Sequence, residues 1–157
     1  MNYLNKLVKK PWGNEYLLYE NGIVAVWMLN IESNKNTSLH CHTKKKTGLI
    51  LLEGEIDVEL GFYDKKKLLA PDKVMLRTGL FHSSKSINAN SKLLEIETPI
   101  DKEDLVRFED NYGRQEKPYE GKKFFSELNK DEILFQDPGS CKQEYKFKGS
   151  ILKFERH

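Results

Sequence analysis

Ser38-Leu39-His40-Cys41-His42-Thr43-Lys44-Lys45-Lys46-Thr47-Gly48-Leu49-Ile50-Leu51-Leu52-Glu53-Gly54 decides the reading of this chain. Two histidines flank one residue, a polar segment follows, and an apolar run ends in glycine. On an extended strand, residues i and i+2 point to one face. His40 and His42 can therefore aim at a common point, as two ligands of one metal must. A third histidine, His82, follows the turn-like Gly79-Leu80-Phe81. Neutral imidazole is the commonest metal ligand in proteins, and three of them on neighbouring strands suit Zn, Fe, Ni, Cu or Mn. Of the four histidines, only His157 lies outside this region. The competing reading is a His-x-His that merely decorates a surface strand.

Working outward, the flanking sequence is rich in short strands. Glu15 to Tyr19 and Ile23 to Ile31 read as a hairpin turned at Asn21-Gly22. The stretch from Ile23 to Leu29 is almost wholly apolar, which predicts that both faces of its strand are covered. Thr37 to His42 is the histidine strand. Gly48 to Leu60 is strand-like with a break at Glu53-Gly54, and beyond it Ile56, Val58 and Leu60 alternate with acids, the mark of one wet face. Asp64 to Lys67 reads as a charged hairpin tip. Val74 to Arg77, Phe81 to Ser86 and Leu93 to Thr98 add three strands. The spacing predicts an all-β barrel or sandwich.

After the last strand the pattern changes. Asp101 to Asp104 reads as the capped start of a short helix with Leu105, Val106 and Phe108 on its apolar side and Gly113 at its end. Residues 115–123 read as a loop, Phe124 to Leu128 as one helical turn, and Glu144 to Glu155 as a hairpin turning near Gly149-Ser150. The expected organisation is one domain: a barrel with its flanking strand and helix over residues 1–114, and an extension over residues 115–157 packed upon it.

The 157 residues suffice for one domain with a core. Charged residues make up 32% of the chain, yet the formal net charge is only +2. That balance argues against nucleic acid or an acidic membrane as partner. No apolar run reaches membrane-spanning length. The residues after Met1 show no signal-peptide pattern, so a cytoplasmic protein is expected. Two cysteines, Cys41 and Cys141, fit a reducing compartment. Strand alternation turns Cys41 away from the histidines, as a core thiol.

Three motifs carry a family likeness. Lys10-Pro11-Trp12-Gly13 precedes the barrel, Ser38-Leu39-His40-Cys41-His42 lies inside it, and Glu103-Asp104-Leu105-Val106-Arg107-Phe108-Glu109-Asp110-Asn111-Tyr112-Gly113-Arg114 follows it. With Gly54 and Gly79-Leu80-Phe81-His82, the chain resembles the cupin superfamily. More narrowly, over about residues 10–114, it resembles the cupin domain of type II mannose-6-phosphate isomerases, often fused to mannose-1-phosphate guanylyltransferases. The resemblance implies a cupin jelly roll and metal-dependent aldose–ketose isomerisation of a sugar phosphate. It also implies a place in nucleotide-sugar or surface-polysaccharide synthesis, a divalent metal on His40, His42 and His82, and a homodimer. Two positions depart from the family: Thr47 stands where a glutamate ligand is usual, and Arg77 replaces a frequent proline.

The departure leaves three readings: a three-histidine metal site, a site completed by Glu95 or Glu97, or a barrel that binds sugar without catalysis. A three-histidine Fe(II) oxygenase is the other enzymatic class such a set suits. Glu95 and Glu97 share one strand face and are the candidate catalytic bases if that face lines the interior; otherwise both meet water. Arg107 and Arg114 can bind phosphate through their planar guanidinium groups, or pair with Glu103, Glu109 or Asp110. Lys44, in the run Lys44-Lys45-Lys46, either attracts an anionic substrate or belongs to a solvated face. Trp27 and Phe81 read as core rather than sugar platforms.

Overall fold

The computed structural model describes residues 2–133 and 142–155. Cys141 and His157 lie outside the described residues. Two antiparallel sheets face each other. The larger contains β1 (Lys6–Lys10), β2 (Gly13–Glu20), β3 (Ala25–Ile31), β5 (Lys46–Glu53), β8 (Lys73–Leu76), β10 (Ser91–Thr98) and β12 (Phe125–Glu127), in the order β12-β1-β2-β3-β10-β5-β8. The smaller contains β4 (Leu39–Cys41), β6 (Glu55–Leu60), β7 (Asp64–Leu69), β9 (His82–Ser86) and β11 (Val106–Glu109), in the order β11-β4-β9-β6-β7. A separate hairpin joins β13 (Gln143–Phe147) to β14 (Ser150–Phe154). The strand pattern predicts an all-β barrel or sandwich, and the jelly roll is the architecture that the family resemblance implies.

The larger sheet is apolar on both faces because both are covered. Trp27, Leu29 and Ile31 pack inward with Leu51, Ile56, Val58 and Leu93. Met28 points the other way with Tyr16, Leu18, Leu52 and Leu94, under Phe147, Leu152 and Phe154 of the terminal hairpin. That accounts for the nearly continuous apolar run of β3. Asn21 turns β2 into β3 by accepting the backbone N–H groups of Ile23 and Val24 at 3.0 and 2.9 Å. At Gly54 the chain leaves one sheet for the other with φ +93°, and a Cβ there would meet Ser91 Oγ at 2.6 Å, so only glycine fits.

Four local expectations are corrected. The helix expected from Asp101 is a series of turns followed by β11, which pairs with β4: Val106 lies opposite Cys41, and Arg107 opposite His40. Asp104 does cap backbone N–H groups, but they belong to a loop across the barrel rather than to its own helix. The helical turn expected at Phe124 is a 3-10 turn over Lys122–Phe124 that runs into β12, where Phe125 pairs with Val8 of β1. Asp64 to Lys67 is no hairpin tip. It begins edge strand β7, where Lys65 and Lys67 pair with Glu59 and Glu55 of β6 at 3.0 and 2.5 Å. Lysines on a free edge discourage pairing with another chain. The terminal hairpin turns one residue earlier than expected, at Lys148-Gly149.

Candidate metal centre and its pocket

β4 and β9 run side by side with His40 directly opposite His82, and His42 follows β4 on the same face as His40. The ring centroids stand 4.4 to 5.4 Å apart, and one ligand nitrogen from each ring lies within 4.8 Å of the other two. Strand alternation thus does what its period requires. Cys41 between them is buried, and burial pushes its thiol up.

Backbone carbonyls fix the tautomer of all three rings. His40 Nδ1 donates to Ser38 O at 2.7 Å, His42 Nδ1 to Asp104 O at 2.6 Å, and His82 Nδ1 to Leu80 O at 3.0 Å. A carbonyl only accepts, so the proton sits on Nδ1 and Nε2 keeps its lone pair. Burial drives His42 down to about 3 and holds His40 and His82 below their ordinary value. The rings are therefore neutral near pH 7, the form that binds metal. His42 Nε2 is buried without a hydrogen-bond partner. An orphaned lone pair among three converging imidazoles fits a divalent metal, which would be held by His40, His42 and His82.

Asp104 organises this corner. Its carboxylate accepts the backbone N–H groups of Thr43, Lys44 and Lys45 at 2.8 to 2.9 Å and the Thr43 hydroxyl at 2.7 Å. Its carbonyl meanwhile orients His42. These bonds hold the loop that leads from the histidine strand into β5.

Both strand acids face the interior. Glu97 is fully buried and committed: it accepts from Trp27 Nε1 at 2.9 Å and from Lys45 Nζ at 2.6 Å. Glu95 lines the pocket that holds the histidines, with Lys102 Nζ 4.0 Å from its carboxylate. Lys102 also reaches Glu15 at 3.4 Å and Glu97 at 4.0 Å and lies 3.8 Å from the centre of the Trp27 ring. Burial alone would lower the Lys102 ammonium; Glu15, Glu97 and Glu95 together outweigh it and hold it raised. Thr47 is buried across from Glu97, and its hydroxyl has no partner.

The other sequence candidates divide. Arg107 and Arg114 line the pocket, and Arg114 makes one of the alternative ion pairs, with Asp110 at 2.5 Å, plus another with Glu120 at 2.7 Å. Lys44 is 69% exposed and pairs with Asp101 at 3.4 Å, outside the pocket; its neighbour Lys45 is the lysine that enters. Trp27 is core as expected, whereas Phe81 is half-buried against Phe62 and Phe108. Sequence reasoning missed Lys10, Glu15, Lys102, Tyr119 and Glu120. Glu15 had left a signal, since it occupies the strand face of the core residue Leu17.

No family model matches the chain, and no curated protein sequence matches it either. Solved structures do. KdgF from Halomonas sp. superposes with a TM-score of 0.56 at 14% identity, covering 59% of this chain and 83% of that one. An RmlC-like cupin from Shewanella frigidimarina gives 0.57 at 16% identity, covering 65% and 90%. The chain shares the jelly-roll fold of these structures. CapF, a capsular polysaccharide assembling protein from Staphylococcus aureus, gives 0.60 at 10% identity, with 66% of this chain covering 34% of that longer one. No helix among the described residues is long and apolar enough to cross a membrane.

Proposed function

We propose that this cupin is a metal-dependent isomerase of a sugar phosphate, of the mannose-6-phosphate type, serving nucleotide-sugar or surface-polysaccharide synthesis. The carrying observation is the placement of three Nε2 lone pairs beside Glu95 in one pocket. The likeness to CapF, a capsular polysaccharide assembling protein, supports the setting. A bound divalent metal, Zn, Fe, Mn or Ni, would polarise the sugar carbonyl. Glu95 takes the proton from the carbon beside that carbonyl and returns it to the neighbouring carbon. Lys102, held cationic at 4.0 Å, steadies the negative charge that develops between these steps. Trp12 and Leu105 wall the pocket with apolar surface that limits water around the transferred proton.

With mannose 6-phosphate or fructose 6-phosphate in deuterium oxide, NMR will show exchange at carbon 1 or 2. Glu95→Gln will slow that exchange about 100-fold or more while metal content stays constant. Absence of both exchange and binding, across several sugar phosphates and metals, rejects this substrate class.

Thr47 bears on the metal shell. Three neutral imidazoles leave a divalent ion its full charge, and a carboxylate gains most when it meets a cation away from water. Thr47→Glu is expected to tighten metal binding about 10-fold in a calorimetric titration, matched by roughly 1.4 kcal/mol. Unchanged or weaker binding removes Thr47 as a vacant ligand position. A second reading, a three-histidine Fe(II) oxygenase, draws on the histidine cluster, which among the described residues includes no carboxylate. Bound iron with oxygen uptake would select it.

A further inference from the structure

The irregular segment over residues 111–121 lies across the pocket like a strap, and one side chain fastens it. Glu120 is buried, and three cations converge on its carboxylate: Lys10 Nζ in contact, Arg114 at 2.7 Å and Arg107 at 3.6 Å. Lys10 comes from β1 and Arg107 from β11, so the regular strands supply two of the three cations and the strap supplies the anion. Arg107 also donates to the strap's own backbone, at Lys117 O, 2.5 Å away. Its Nε is buried with no partner, a donor left unspent inside the clamp. Lys10, Arg107 and Arg114 line the same pocket as the three histidines.

Three cations around one carboxylate are more than a structural pair requires. Converging guanidinium and ammonium groups are what a phosphate recruits. The pocket and its clamp also balance without a ligand. Lys10, Lys45, Lys102, Arg107 and Arg114 face Glu15, Glu95, Glu97, Asp110 and Glu120 among neutral imidazoles. An added anion meets that balance most favourably by replacing a carboxylate already there.

We propose that Glu120 is an internal stand-in for the phosphate of the ligand, which enters the Lys10–Arg107–Arg114 clamp by displacing it and thereby lifts the strap. The proposal deepens the reading above and rests on it for the class of ligand. The remainder of the chain need not unfold, because β12 beyond the strap stays paired with β1.

The test uses inorganic phosphate and the protein as purified. Calorimetry on Glu120→Gln, checked for folding by circular dichroism, is expected to show phosphate bound at least 10-fold more tightly than in the parent. In the parent, saturating phosphate is expected to speed amide hydrogen exchange across residues 115–121 and cleavage after Glu116 by a glutamate-specific protease. Equal or weaker phosphate affinity in folded Glu120→Gln overturns the proposal. So does unchanged exchange and cleavage in the parent, a measurement that holds even if the variant fails to fold. Phosphate that opens the strap without any sugar isomerisation keeps the clamp and removes the isomerase reading. Isomerisation with the strap closed does the reverse.

Discussion

His42→Ala is expected to lose its divalent metal, with affinity falling about 100-fold or more while the chain still folds. A three-nitrogen site reduced to two keeps neither its geometry nor its charge-dipole field. The fold tolerates the change because His42 Nε2 has no partner, and an unsatisfied buried polar atom stabilises nothing. The cost is the bond from His42 Nδ1 to Asp104 O, ~1 kcal/mol net. Metal analysis and urea unfolding of the variant separate the two quantities. Unchanged metal content would mean that the three rings do not act as one site.

Lys102→Met is expected to cost ~3–5 kcal/mol of stability, because it removes the cation shared by three buried carboxylates. For a chain of this size that is a fall in Tm of roughly 10 °C. A change below ~1 kcal/mol would mean that water or protonation already neutralises the acids. The same network sets the acid limit of the fold. Burial would raise the Glu15 carboxyl, but Lys10 and Lys102 outweigh it and hold it at about 2, below its ordinary 4.5. Between those values the unfolded chain binds the extra proton, so the stabilisation from Glu15 is complete above pH 4.5 and lost as pH falls to about 2. In Lys102→Met the acid transition therefore moves to higher pH.

The strands and the convergence of the three histidines were legible because they depend on period. Two-residue alternation placed His40 with His42, and the apolar run of β3 announced a strand covered on both faces. Other features depend on partners distant in sequence. Asp101 to Asp104 has the composition of a helix start, yet Asp104 spends its carboxylate on Thr43, Lys44 and Lys45. The segment then finds β4 as a strand partner, and local propensity yields to pairing. Tyr119 and Glu120 sit in a stretch with no periodicity, and nothing local shows that they meet Glu15 and Lys10 more than 100 residues away. Lys45 differs from Lys44 only in which way the loop held by Asp104 turns it, and that decides which of the two is buried.

His40, His42 and His82 are expected to hold a divalent metal through Nε2. Elemental analysis of protein purified without chelator or a metal-affinity column tests it most directly. The expected result is one divalent ion per chain, removed by chelator and restored by titration. Protein that carries no metal, and takes up none when Zn, Fe, Mn or Ni is titrated in, contradicts it.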